Sequence, residues 1–163
     1  MNFFRKPKPE PANVYQTLRL QTLEASRAEL GLPAMQTETQ PWGVLMDWGL
    51  ASGSATVAAL SGGNASIYLS SGGGSIGGGS SSEAICKPAQ NAVATAAEVQ
   101  SLLNPVTSFP VPAADQVVFY AITDAGVFSG SAFAKDLSTH GHRLSRLGDA
   151  MQELITRYEK IQQ

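Results

Sequence analysis

The sequence predicts an α+β domain, an antiparallel five-stranded sheet with helices in the order α-β-β-β-α-β-β-α. Three observations predict it. Apolar residues recur at helical spacing in three separate segments, at alternate positions between residues 41 and 70, and in a nearly continuous run over residues 117–122. No strand-helix-strand alternation links these segments, so an antiparallel sheet covered by helices is the natural architecture. With 163 residues, 43% of them apolar, the chain is sized for one hydrophobic core. That core is assigned to residues 13–163, behind a proline-punctuated flexible arm at residues 1–12.

The first helix is predicted over residues 13–30, where Val14, Leu18, Leu23 and Leu30 mark an apolar stripe. Asn13 is its expected N-cap, because its side-chain oxygen can accept a backbone N–H that no earlier turn satisfies. Gly31 and Pro33 are its stop signals. The period then changes to two, placing Trp42, Val44, Met46, Trp48 and Leu50 on one side of a strand and Gly43, Leu45, Asp47 and Gly49 on the other. Ser52-Gly53 and Gly62-Gly63-Asn64 are turn signals, so strands at residues 55–60 and 66–69 complete a three-stranded meander. Ala55, Ala58 and Ala59 keep the middle strand's surface low, which suits a closely packed alanine-rich helix.

Such a helix is predicted over residues 82–103, with Ile85, Val93, Val99 and Leu102 as its larger contacts. Pro88 lacks an N–H and blocks the preceding turn, so the regular helix is expected to start near Lys87. Pro105, Pro110 and Pro112 break the chain before the apolar run, which reads as a central strand. Asp124-Ala125-Gly126 returns it as a hairpin with residues 127–133. The last helix is predicted over residues 138–161, carrying Leu144, Leu147, Met151, Leu154, Ile155 and Tyr158 on one face.

Charge and composition exclude several functions. Eleven Lys and Arg stand against thirteen Asp and Glu, and the one dense basic cluster is Arg5, Lys6 and Lys8, so no nucleic-acid partner is expected. No stretch approaches the roughly 18 consecutive apolar residues of a membrane helix, so no membrane is expected either. Pro7, Pro9 and Pro11 fall where a signal peptide needs an apolar run, and Cys86 is the single cysteine; both point to the cytoplasm.

The most unusual segment is the Gly/Ser loop at residues 70–82. Gly72, Gly74 and Gly77 satisfy G-x-G-x-x-G, but no βαβ unit surrounds them and no lysine follows to make a phosphate loop. A flexible linker is the plainer reading. The alternative is a small-molecule or anion site in which backbone N–H groups cradle the ligand, built from Gly72, Gly73, Gly74, Ser75, Gly77, Gly78 and Ser81. Residues 73–77 also fit the G-x-S-x-G elbow, with Asp124 and His142 following in hydrolase order. An elbow needs a parallel strand feeding a helix, which this element order lacks.

Other candidates have plain readings too. His140 and His142 could share a metal, yet no nearby cysteine and only Asp136 as a close acid leave the ligand set incomplete, so no metal or cofactor is expected. Asp47, between Met46 and Trp48, must point to solvent or meet an arginine. Cys86 near a helix start reads as a core or boundary residue. Trp42 and Trp48 read as core, or as an interface if one is exposed. Without a converging set of acids, bases or nucleophiles, the chain is expected to be not an enzyme but a non-catalytic protein-binding module.

The element order over residues 13–161 resembles the secretion-chaperone-like fold, named for the dimeric chaperones of bacterial type III secretion, with roadblock and profilin-like domains close in layout. The resemblance implies a small, mildly acidic cytoplasmic homodimer that holds a partner chain in extended form along hydrophobic surface. The chain departs from that family in its Gly/Ser loop and its alanine-rich second helix.

Overall fold

The structure is a computed structural model that describes residues 10–75 and 82–162. Helix α1 (Pro11–Glu24) precedes a meander of β1 (Gly43–Leu50), β2 (Gly53–Leu60) and β3 (Ala65–Leu69), which the two-residue strand β4 (Gly74–Ser75) extends. Helix α2 (Glu83–Val99) follows, ending in a 3-10 turn at Gln100–Leu102. Then come β5 (Asn104–Val106), the hairpin β6 (Gln116–Thr123) and β7 (Gly126–Phe133), the short α3 (Ala134–Ser138) and α4 (Ser145–Ile161).

The sheet order is β4-β3-β2-β1-β6-β7-β5, and every pairing is antiparallel. The α+β class therefore stands, with one correction. The sheet has six strands of three or more residues, not five, besides β4. The added strand, β5, contains Pro105, a residue confined to edge strands because it cannot donate to a ladder.

The two faces of the sheet differ in chemistry. On one, cross-strand rows such as Val57–Met46–Phe119 and Ala59–Val44–Ala121 are apolar, and α2 and α4 lie on them. Ala89, Ala92 and Ala96 let α2 sit close to β2, as the small side chains of both elements predicted. Leu147, Met151, Leu154 and Tyr158 form the buried stripe of α4, and the Tyr158 hydroxyl donates to the Ala65 carbonyl at 2.6 Å. On the second face Leu45, Tyr120, Ile122 and Val127 pack with Leu23 of α1, with Leu32 and with Trp42.

Several boundaries differ from expectation for local reasons. Helix α1 begins at Pro11, whose ring pre-sets a helical φ at the first position, so Glu10 and not Asn13 is the N-cap. It ends at Glu24 because residues 26–29 form a capping box of their own. The Ser26 hydroxyl accepts from Glu29 N–H, and the Glu29 carboxylate accepts from Ser26 N–H. The buried face of α1 is Tyr15, Arg19 and Leu23, spaced by four, whereas Val14 and Leu30 of the expected stripe are exposed. Helix α2 starts at Glu83, with Pro88 inside it and not at its head. The final helical segment is broken between α3 and α4, where His140 adopts a left-handed φ of 57° next to Gly141.

Candidate functional site

The site builds up from the apolar face of the sheet. Strand β1 presents Met46 and the half-buried Trp48 there, and β6 adds Val117 beside Trp48 in register. The break after α3 lets that short helix lie over the strand ends with Leu137 buried beneath it, while α4 crosses behind. At the crossing α4 carries Gly148, where a Cβ would stand at ordinary contact distance from Leu137, 3.6 Å or more. Beside Gly148 lies a cleft of about 410 Å³ that Met46, Trp48, Val117 and Leu137 also line. Lys135, Asp149 and Gln152 stand at its rim. Asp149 is engaged by His140, whose Nε2 lies 3.1 Å from its carboxylate.

The second face holds a buried polar cluster that the sequence reading reached only as an alternative for Asp47. Arg19, 1% exposed, donates from Nε to Asp47 Oδ2 at 2.8 Å and lies 2.6 Å from it through Nη2. The Thr56 hydroxyl donates to Asp47 Oδ1 at 2.6 Å, and the Tyr15 hydroxyl is 2.7 Å from Thr56 Oγ1. Above the guanidinium lies the Tyr120 ring, 5.9 Å from Cζ to centroid. Burial pushes the Asp47 carboxyl above the ordinary carboxylate range, against the pull of Arg19 and Thr56. Burial also opposes the Arg19 charge, but the hydrogen bond and charge of Asp47 outweigh it and raise its pKa. Both Asp47 oxygens are hydrogen-bonded, so the cluster pins α1 to β1 and β2.

The residues singled out in the sequence are dispersed. Trp42 and Trp48, expected on one side of the strand, pack in different clusters, because the chain enters β1 at Trp42 and turns that ring to the α1 face. Trp42 is 1% exposed, and its Nε1 has no hydrogen-bond partner among the described residues. Gly72, Gly73, Gly74 and Ser75 form the turn and short return strand of the β3–β4 hairpin. A Cβ at Gly74 would collide with the Ile67 carbonyl, so the glycine there serves close strand approach. Gly77, Gly78 and Ser81 lie outside the described residues.

Of the elbow-like set, Ser75 sits on an antiparallel strand, Asp124 pairs with Arg27 at 3.2 Å, and His142 Nδ1 accepts from Leu144 N–H. Cys86 is half-buried against Gly63. Among the described residues no three metal-ligating side chains gather, and no helix is long and apolar enough to cross a membrane. Comparison of the chain with family models, with curated proteins and with solved structures finds no match.

Sequence reasoning missed Val117, Leu137 and Gly148 as cleft residues. Gly148 carried the one available signal, a helix-weakening residue inside the clearest amphipathic helix of the chain.

Proposed function

We propose that this chain is a non-catalytic, chaperone-like module that holds an apolar part of another protein in the cleft beneath α3 and α4. The observation that carries this reading is Trp48, a half-buried aromatic on a floor of Met46, Val117 and Leu137 that no other side chain among the described residues covers fully. Covering such a floor releases roughly 25 cal/mol for each Å² of apolar surface removed from water. Tryptophan-centred patches ringed by polar groups are the usual anchors of protein interfaces. The likeness in element order to secretion chaperones agrees with this reading, and so does the engagement of Asp47, His140 and His142 in structural contacts. We place the protein in the cytoplasm, where its lone Cys86 stays a thiol.

A photo-crosslinking amino acid tests the reading when placed in the source cell at Gln152, on the cleft rim, and as a control at Glu29, on an exposed turn of the opposite layer. Position 152 should give a discrete protein adduct that position 29 does not. Gly148→Leu, which projects a side chain toward Leu137, should abolish the adduct while leaving thermal unfolding cooperative. Equal adducts from both positions, or an adduct untouched by Gly148→Leu, would refute it.

A further inference from the structure

The apolar floor of the cleft does not stop at Trp48. In one cross-strand row Val117 stands opposite Trp48, Trp48 opposite Ala55 and Ala55 opposite Leu69, so these side chains share the face on which α4 lies. Trp48, Ala55 and Leu69 are half-buried, as are Ile67 on β3 and Ile155 on α4. The cleft therefore continues as an apolar strip along one end of the sheet, from β6 to β3. Gln152, which lines the cleft, shares its side of α4 with Ile155 and then Glu159, an exposed acid with no ion-pair partner among the described residues.

The strip ends at the corner where the described chain begins. Past Leu69 the chain turns through Gly72, and a Cβ built there would stand 3.3 Å from the Pro11 ring. Pro11 opens α1 at this corner, on the opposite face of the sheet. Residues 1–9 lie outside the described residues; in sequence they read Met-Asn-Phe-Phe-Arg-Lys-Pro-Lys-Pro, an aromatic pair followed by three cations. Proline at 7, 9 and 11 favours an extended path over a helical one. Two strand spacings from Leu69 to Trp48 and the passage across the sheet come to roughly 20 Å. The eight steps from Phe3 to Pro11 span up to about 29 Å. The aromatic pair is thus within reach of Trp48, and the cations behind it within reach of Glu159.

We propose that Phe3 and Phe4 dock on the Trp48 strip of their own chain and compete there with an outside apolar segment. Docking of this kind rests on the cleft being an apolar docking surface, as proposed above for another protein. A tether this short gives a millimolar effective concentration, so a millimolar affinity for the pair fills the strip about half the time. Trp48 stays open in the remaining fraction. An outside segment then binds with its apparent affinity lowered about twofold.

The purified full chain, carrying the photo-crosslinking amino acid at Gln152 and with no other protein present, tests this. Irradiation should join position 152 to a peptide from residues 1–8 at the mass of a single chain, and the control at Glu29 should not. Phe3→Ser with Phe4→Ser weakens docking at least about tenfold and should cut that adduct about fivefold. In the source cell the same double variant should raise the adduct with another protein about twofold. No adduct to residues 1–8, an adduct between two chains in its place, an adduct that the serine variant leaves undiminished, or an outside adduct that it fails to raise would overturn the proposal. An outside adduct at position 152 that persists through such a failure would leave the proposed function standing. Its absence beside a single-chain adduct that the serine variant cuts would refute the function and not the docking.

Discussion

Removing the Asp47 carboxylate tests the account of how α1 is held. In Asp47→Ala the Arg19 guanidinium keeps its charge and its burial, yet loses its counter-charge and the acceptor of its Nε bond, with only the Pro110 carbonyl left to Nη2 at 3.4 Å, and the Thr56 hydroxyl loses its own acceptor. An uncompensated buried charge of this kind costs about 3 to 5 kcal/mol. That is a large share of the roughly 5 to 15 kcal/mol that stabilises a domain. For a chain of this size it corresponds to a fall in thermal midpoint of about 10 °C. Arg19→Met keeps the aliphatic stem but strands the carboxylate, and should cost about the same. The double variant Arg19→Met with Asp47→Leu removes both charges together and should recover most of the loss, because two well-packed apolar residues need no desolvated partner. Urea denaturation with linear extrapolation measures all four proteins, provided the slope with denaturant is unchanged. Single variants that cost less than about 1 kcal/mol, as an exposed pair does, would refute the reasoning. So would a double variant as unstable as the sum of the two singles.

Two further outcomes follow from particular contacts. Gly49→Ala would drive a Cβ into the Ala113 carbonyl, where the 107–115 segment crosses β1 and Asp115 N–H donates to Gly49 at 2.8 Å; it should cost about 3 kcal/mol in the same denaturation assay, and a loss below about 0.5 kcal/mol would show the segment is not held there. Trp42→Phe leaves Trp48 as the only tryptophan, and its emission should be quenched readily by acrylamide, whereas Trp48→Phe leaves the enclosed Trp42, which should resist. Equal quenching would contradict an enclosed Trp42 beside a half-buried Trp48.

Much of this architecture is written locally. The stripe from Leu147 to Tyr158 declares itself because burial on one face leaves its period in the sequence, and the strands from Val44 to Trp48 and from Val117 to Ile122, buried on both faces, declare themselves as short, mostly apolar runs. The capping box at Ser26 and Glu29 was equally local and was passed over, since the apolar spacing from Leu23 to Leu30 masked it. The cleft was not legible in the same way. Met46, Trp48, Val117, Leu137 and Gly148 come from four elements, and each looks like ordinary core or an ordinary weak spot until the elements are packed.

By itself the sequence determined the α+β class, the places of α2 and of the strands β1, β2, β3, β6 and β7, and that alanine-rich β2 and α2 can lie close together. Only the tertiary structure decided which face of α1 points inward. Hydrophobic periodicity favoured Val14, Leu18, Leu23 and Leu30, of which Leu23 does point inward, but Arg19 finds Asp47 across 28 residues and sets the face, because a buried carboxylate without a cation is too costly to keep. Pairing of charges and gaps between elements depend on distances between remote segments, and a one-dimensional pattern carries no record of those distances.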